Sequence, residues 1–121
     1  MEFLPERDKA YIPEGKVKDY LLSESHVVGK TKAKFFRSLG YTDKNMHLLE
    51  EHLLSIAQKE PVKEQKATRF GTKYIVDGNI VSPTNITSPV RTVWIIERGD
   101  DRPRLITAYP MGISHSKGAT S

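Results

Sequence analysis

Cysteine is absent from this chain of 121 residues. Its absence excludes disulfide bonds, thiolate nucleophiles and zinc–thiolate sites, and it suits a reducing compartment. No apolar run reaches the ~18 residues that indicate a membrane-spanning helix, and the first residues, Met-Glu-Phe-Leu-Pro-Glu-Arg-Asp, do not have the pattern of a secretory signal peptide. We therefore expect a cytoplasmic protein without a membrane segment.

Motifs for metals and cofactors are also missing. The sequence has no phosphate-binding glycine loop, no dinucleotide-binding fingerprint and no nucleophile elbow. His47 and Glu51 are four residues apart in a predicted helix, but a lone pair of this kind usually lies on a solvent-exposed helix face and does not bind a metal. Asp77 and Glu97 are isolated on predicted strands. We predict that the protein uses neither a metal ion nor a cofactor.

A basic segment stands out against these absences. Residues 26–42 contain no acidic side chain, while the whole chain has a net charge of only +4. Two glycines border a predicted helix over residues 29–39, since glycine is common just past helix ends. Lys30, Lys34 and Arg37 recur at i, i+4 and i+7 and therefore form one basic stripe. This stripe is our candidate for RNA binding.

Lys32 belongs to a different side of the same predicted helix. It lies at the N-terminal end of an apolar stripe formed by Phe35, Phe36 and Leu39. Its amine either extends to water or reaches a polar site at the edge of the core. His26 comes just before the helix, and an imidazole, an amine and a helix N-terminus together favour an anion such as phosphate.

The hydrophobic pattern predicts helices first and strands second in a single domain over residues 1–121. The helical part covers about residues 1–60, with helices from Pro13 to about Leu22, over 29–39, and from a cap at Thr42 or Asp43 to just before Pro61. An antiparallel sheet covers about residues 63–110, and residues 112–121 form a flexible tail. These elements make an α+β fold.

The predicted sheet has three segments. The first is a β-rich run that begins near Ala67 and is bent or bulged at Asp77-Gly78-Asn79. The others are strands over residues 90–97 and 104–109, which we expect to be hairpin partners because only a short charged loop separates them. Antiparallel pairing would then place the start of the first strand beside the end of the second.

Two blocks of sequence resemble a known family. Residues 26–41, His-Val-Val-Gly-Lys-Thr-Lys-Ala-Lys-Phe-Phe-Arg-Ser-Leu-Gly-Tyr, are similar to an "HPVG…KARFF…LGY" block, with Val27 where that block has proline. Residues 90–97 and 103–110, Val-Arg-Thr-Val-Trp-Ile-Ile-Glu and Pro-Arg-Leu-Ile-Thr-Ala-Tyr-Pro, resemble its second block. The family consists of small bacterial domains, found alone and at the C-termini of polymorphic toxins.

These domains are similar to the barnase–EndoU–colicin–RelE superfamily of metal-independent ribonucleases. The resemblance implies N-terminal helices packed on an antiparallel, barnase-like sheet. It also implies a toxin-type endoribonuclease that cleaves RNA, with transfer RNA among the candidates, by transesterification. Such an enzyme needs a cognate antitoxin or immunity protein in its host, which we expect to be acidic where it contacts the toxin.

Cleaving RNA without a metal requires a base, an acid and cations that hold the phosphorane charge. His26 is a candidate for either proton transfer. Lys32 and Arg91 are candidates for holding phosphate, and Thr107 and Tyr109 for donating hydrogen bonds or positioning a proton relay. Structural roles also fit, such as a helix-capping His26. Thr92 has a similar hydroxyl, but it must face the opposite side of its strand from Arg91.

Two other classes of function fit the same sequence. Helices over residues 29–39 and 43–58 resemble a helix-turn-helix of a non-catalytic nucleic-acid-binding module, although Glu50, Glu51 and Glu60 would repel phosphate. The chain also fits a protein-interaction module, antitoxin-like or scaffolding, in which the basic helix meets an acidic partner. Incubation with RNA in the presence of a chelator would separate these alternatives from the enzyme.

Overall fold

Helices packed on one antiparallel sheet form the part of the chain that the computed structural model describes, residues 2–22 and 30–111. The α+β prediction is therefore confirmed. A 3₁₀ turn and a π-helical segment come first, and two α-helices and four strands follow. These elements are the turn Arg7–Lys9, the π-helical segment Val17–Leu21, α1 Lys30–Ser38, α2 Met46–Lys59, β1 Val62–Thr68, β2 Gly71–Val81, β3 Thr87–Glu97 and β4 Arg104–Pro110.

The four strands follow one another in space in the order β1-β2-β3-β4, and each neighbouring pair is antiparallel. β3 is an inner strand, and β4 is its hairpin partner. The register sets Arg91 opposite Asp77 on β2 and opposite Tyr109 on β4. Because directly opposed residues of antiparallel strands share a face, these three polar side chains form a row across the sheet.

One face of the sheet packs against the helices and forms the core. Its buried side chains include Val76, Val90 and Trp94, and they join those of the helices in one hydrophobic cluster. Thr92 is also fully buried on this face. Its hydroxyl donates to the carbonyl of Val76 (2.6 Å) and accepts from the indole Nε1 of Trp94 (2.7 Å). Thr92 therefore completes the core and does not face the same side as Arg91.

The predicted bend at Asp77-Gly78-Asn79 is wrong. β2 runs unbroken through these residues, and its pairing with β3 keeps one register from Gly71 to Val81. The glycine has a packing role instead. A Cβ at Gly78 would lie 2.9 Å from Cγ1 of Ile56, so the missing side chain lets α2 approach the sheet closely. The glycine of Asp77-Gly78-Asn79 therefore serves a close contact between α2 and β2, not a turn.

The β-rich run predicted to begin near Ala67 is in fact two strands. β1 begins at Val62, and a tight turn at Arg69 and Phe70 leads into β2. Thr68 holds this turn, because its hydroxyl accepts from the amide of Phe70 (3.2 Å) and donates to the carbonyl of Gly71 (2.7 Å). The sequence pattern does not reveal β1 because it is an edge strand with almost every side chain exposed, which removes the alternation that identifies strands.

Two helix starts also differ from the prediction. α2 begins at Met46, because the residues before it form a turn in which Asn45 Oδ1 accepts from the amide of Thr42 (2.7 Å) and Asn45 Nδ2 donates to the carbonyl of Gly40 (3.0 Å). The helix predicted from Pro13 is only the π-helical segment Val17–Leu21. Within residues 2–22 and 30–111, no helix has the length and apolarity of a membrane span. The predicted flexible tail lies outside the described residues.

Candidate active site

Lys32 reaches from α1 to the last strand of the sheet. The neighbouring Ala33 and Phe36 are fully buried and fix the helix against the core. The half-buried ammonium group of Lys32 donates hydrogen bonds to the hydroxyl of Tyr20 (2.8 Å) and to the hydroxyl of Thr107 on β4 (2.9 Å). Of the two environments that the sequence allows for Lys32, water or a polar site at the edge of the core, the structure shows the polar site.

Tyr20 completes a small cluster around this ammonium group. Its segment is anchored by the buried side chains of Val17 and Leu21, and its hydroxyl lies 3.4 Å from that of Thr107. The ammonium nitrogen of Lys32 is 5.1 Å from the ring centroid of Tyr20 and 5.6 Å from that of Tyr109. Two aromatic rings and two hydroxyls therefore surround one cation, in a range where cation–π attraction contributes.

The surroundings of Tyr20 act on its pKa in opposite directions. Partial burial raises the pKa, because it disfavours the charged phenolate. The hydrogen bonds with Lys32 and Thr107 lower it, as do the positive charges of Lys32 and Lys16. The second of these cations lies 4.9 Å from the centre of the tyrosine ring. The net result is a pKa for Tyr20 below the ordinary 10.0.

Arg91 is held by a carboxylate on the neighbouring strand. Its Nε and Nη2 donate to the two carboxylate oxygens of Asp77 at 2.8 and 2.9 Å, which makes a bidentate ion pair. The hydrogen bond to Asp77 raises the pKa of Arg91, and interaction with Tyr109 adds to the increase. Arg91 is thus fixed in place, and part of its positive charge is already balanced by Asp77.

Four of the five predicted catalytic residues lie on described parts of the chain, and the structure brings them toward one region. Thr107 and Tyr109 are two residues apart on β4 and share a face. Tyr109 pairs with Arg91 across the hairpin, and Thr107 contacts Lys32. The fifth residue, His26, lies outside the described residues.

Two members of this region are not among the predicted site residues. The spacing of Tyr20 from Val17 and Leu21 fits an apolar stripe, which gives no sign that its hydroxyl meets a cation. Asp77 stands out in the sequence only as an isolated carboxylate on a predicted strand. Its pairing with Arg91 depends on the register of β2 and β3, which cannot be read from composition.

The predicted RNA-binding stripe is not uniform. Lys34 is exposed on α1. Arg37 instead bonds to the protein, since its Nε donates to the carbonyl of Leu22 (2.7 Å) and its Nη2 pairs with Asp43 (3.1 Å). Lys30 begins the helix, but the position of its side chain is outside what the structure describes. Of the stripe, Lys34 is thus available to a ligand and Arg37 is largely engaged.

Metal ligands do not gather in this region. Within residues 2–22 and 30–111, no three His, Asp or Glu side chains form a group that could hold a metal ion. The carboxylate of Asp77 is engaged by Arg91.

A protein-family model, described as a domain of unknown function (DUF6883), matches residues 3–112. The chain belongs to the DUF6883 family. The matched range includes both sequence blocks on which the resemblance above rests. The relationship of this DUF6883 chain to the barnase–EndoU–colicin–RelE ribonucleases stays a prediction.

The DUF6883 fold is also found among solved structures. It is similar to a chain of the "Contact-dependent growth inhibition toxin - immunity protein complex from Klebsiella pneumoniae 342", with a TM-score of 0.69 and 18% sequence identity, over 88% of this chain and 97% of that chain. At this identity the likeness shows a shared fold. No curated protein matches the sequence.

Proposed function

We propose that this protein is a toxin-type endoribonuclease that cleaves RNA without a metal ion. The observation that carries the proposal is the half-buried ammonium group of Lys32, which contacts two hydroxyls and lies near the Arg91–Tyr109 pair. Cations and hydroxyl donors in one place are what a phosphorane needs when no metal is present. The structural likeness to a chain of a toxin–immunity protein complex supports the toxin-type role.

In this reaction the 2′-oxygen of a ribose attacks the adjacent phosphorus, and the bond from phosphorus to the 5′-oxygen breaks. The 2′-hydroxyl proton passes to a base, and the leaving 5′-oxygen takes a proton from an acid, which leaves a 2′,3′-cyclic phosphate. Lys32 and Arg91 hold the negative charge of the phosphorane, and Thr107 and Tyr109 donate hydrogen bonds to its oxygens. We assign one of the two proton transfers to His26, from the sequence resemblance.

The same proposal includes a protein partner. An RNA-cleaving toxin harms its own host unless an inhibitor is present, and the solved complex that contains this fold pairs a toxin with an immunity protein. The chain has 19 basic and 15 acidic residues, so we expect the inhibitor to be acidic on the contacting face. An inhibitor that covers the region around Lys32 would block access of RNA to the site.

The proposal is tested by incubating the purified chain with total cellular RNA in excess chelator. We expect discrete fragments that end in 2′,3′-cyclic phosphate. His26→Ala should lower the cleavage rate by a factor of about 10² to 10⁴, the usual cost of losing a group active in proton transfer. Tyr109→Phe should lower it by about 10² to 10³, as when one charge-stabilising hydrogen-bond donor is removed. Both variants should leave the thermal midpoint nearly unchanged. Tyr11→Phe, which removes a phenol elsewhere in the chain, is the matched control.

Three results would contradict the proposal. Absence of cleavage with retained RNA binding would favour the non-catalytic module. Cleavage that appears only when magnesium or manganese is restored would exclude the metal-independent mechanism. Loss of folding in both His26→Ala and Tyr109→Phe would indicate that these residues serve packing.

A further inference from the structure

We propose that Tyr20 is the general acid of this site, and that its hydroxyl protonates the leaving 5′-oxygen while Lys32 stabilises the resulting tyrosinate. The inference rests on the proposed ribonuclease function and adds a catalytic residue that the sequence did not reveal. It starts from the contact between the two side chains, in which the ammonium nitrogen of Lys32 lies 2.8 Å from the phenol oxygen of Tyr20.

The contacts of the two site cations distinguish Tyr20 from Tyr109. Arg91, the cation paired with Tyr109 across the hairpin, forms a bidentate ion pair with Asp77, so a carboxylate offsets its charge. The hydrogen bonds of Lys32 in the described part of the chain go to the neutral hydroxyls of Tyr20 and Thr107. A phenolate at Tyr20 would therefore meet a cation whose described hydrogen bonds leave its charge unbalanced.

The hydrogen bond from Lys32 leaves the proton of Tyr20 on the phenol. Lys32 has no lone pair when it is charged, so it donates and the phenol oxygen accepts. The phenol still carries its own proton in this arrangement. The nearby hydroxyl of Thr107, at 3.4 Å from the phenol oxygen, can accept or donate.

The acidity of Tyr20 agrees with this role. Burial opposes ionisation, but the hydrogen bonds and positive charges of its neighbours outweigh burial and lower the pKa of the phenol. An acid becomes more effective as its pKa approaches the working pH. The buried phenol of Tyr41, whose pKa burial raises to about 12, has the opposite environment and would be a poor proton donor.

The step balances as follows. The 2′-oxygen forms a bond to phosphorus as its proton passes to the general base. The bond from phosphorus to the 5′-oxygen breaks, and its electron pair goes to that oxygen, which takes the proton of Tyr20. The tyrosinate left behind, next to Lys32, regains a proton from water before the next turnover. No oxidant, reductant or metal is needed.

The test compares two leaving groups. An oligonucleotide is built around a cleavage site mapped in total RNA, with one ribonucleotide at the scissile position. A second copy has sulfur in place of the scissile 5′-oxygen. A thiolate leaves without a proton, so its departure needs no acid. Tyr20→Phe should slow cleavage of the oxygen substrate by a factor of about 10² to 10⁴ and leave cleavage of the sulfur substrate close to the wild-type rate.

Tyr11→Phe is the control for losing a phenol, and it should cleave both substrates at the wild-type rate. Equal slowing of both substrates by Tyr20→Phe would overturn the assignment, because it would mean that Tyr20 only positions Lys32. A wild-type protein that cleaves no site in total RNA would overturn the ribonuclease proposal itself, and this outcome is distinct from equal losses in the variant.

A second measurement uses only the wild-type protein and so does not depend on how Tyr20→Phe folds. An acid must hold its proton to act. The rate on the oxygen substrate should therefore fall as the pH rises through the lowered pKa of Tyr20, whereas the rate on the sulfur substrate should show no such fall. If the cleavage rates of the two substrates fell in parallel at alkaline pH, Tyr20 would not be the general acid.

Discussion

Tyr41 and Tyr20 each place a hydroxyl within hydrogen-bond distance of a nitrogen, but in opposite surroundings. Tyr41 is fully buried between the helices, where its hydroxyl meets Nδ1 of His52 at 2.6 Å and its ring packs edge-on against Phe36. Burial raises its pKa to about 12. Tyr20 lies at the sheet edge beside Lys32, which helps to lower its pKa.

The difference separates two tasks within one small fold. Around Tyr41 the environment disfavours charge, as is typical of a core that contributes stability. Around Tyr20 the chain keeps a cation half-buried against neutral hydroxyls and aromatic rings. Such an arrangement contributes little to folding, since an ammonium group loses hydration there. It suits the binding of negative charge, which is the task that we propose for this edge.

Lys32→Met tests the contrast between the two regions most directly. The change keeps an unbranched chain against the rings of Tyr20 and Tyr109 but removes the cation. We expect the rate of RNA cleavage to fall by a factor of about 10² to 10³, as when one charge-stabilising donor is removed from other enzymes. The thermal midpoint should be unchanged or higher. Lys63→Met, on the exposed edge strand, is the control, and its cleavage rate should stay at the wild-type value.

Rate assays and thermal melts of Lys32→Met and Lys63→Met show whether the Lys32 cation serves catalysis or stability. A large drop in the thermal midpoint of Lys32→Met would show that the cation is structural and would remove the contrast between the two regions. An unchanged cleavage rate would exclude Lys32 from the chemistry.

A second effect concerns stability at alkaline pH. An unfolded chain ionises Tyr41 near 10.0, whereas the folded protein holds the phenol protonated until about pH 12. The stabilisation from this proton is therefore complete below pH 10 and is lost as the pH rises from 10 towards 12. The loss approaches roughly 2 to 3 kcal/mol, at 1.36 kcal/mol for each pKa unit. Urea unfolding of wild type and Tyr41→Phe over this range measures it.

Tyr20→Phe should show the opposite sign in the same experiment. Its pKa is lower in the folded protein, so ionisation favours the folded state as the pH rises through that value. Relative to wild type, Tyr20→Phe should lose stability at high pH, whereas Tyr41→Phe should gain it. Differences of the same sign for the two variants would contradict the contrast between their environments.

Much of this arrangement was accessible from the sequence because it follows from periodicity. The 3.6-residue repeat of α1 separated Lys32 from the basic stripe and placed it beside apolar neighbours. The short loop after β3 implied the hairpin that sets Arg91 opposite Tyr109. Alternation within strands separated Arg91 from Thr92, and Thr92 is indeed in the core.

The remainder depends on tertiary contacts that no local pattern encodes. The pairing of Asp77 with Arg91 requires one register between β2 and β3, and a shift of one residue would turn the carboxylate to the other face. Gly78 has the composition of a turn, yet it lies within β2, where α2 packs closely against it. Tyr20 has the spacing of a core residue, and only the packing of α1 against the π-helical segment brings Lys32 to its hydroxyl.

The smallest effect is expected within the basic stripe on α1, where Lys34 and Arg37 should behave differently. Lys34 is suited to binding RNA, whereas Arg37 contributes to stability. Lys34→Gln removes an exposed charge, so it should leave stability within about 0.5 kcal/mol of wild type and lower the slope of log affinity against log salt for single-stranded RNA by about 0.7. Arg37→Gln removes the donors to the Leu22 carbonyl and Asp43 and should cost about 1 kcal/mol of stability. Because Arg37 already pairs with Asp43, its loss should change the salt slope less than the loss of Lys34.

Filter-binding titrations at several salt concentrations, together with urea unfolding, measure the salt slope and the stability of both variants. Equal salt slopes for the two variants would show that Arg37 exchanges Asp43 for phosphate when RNA binds.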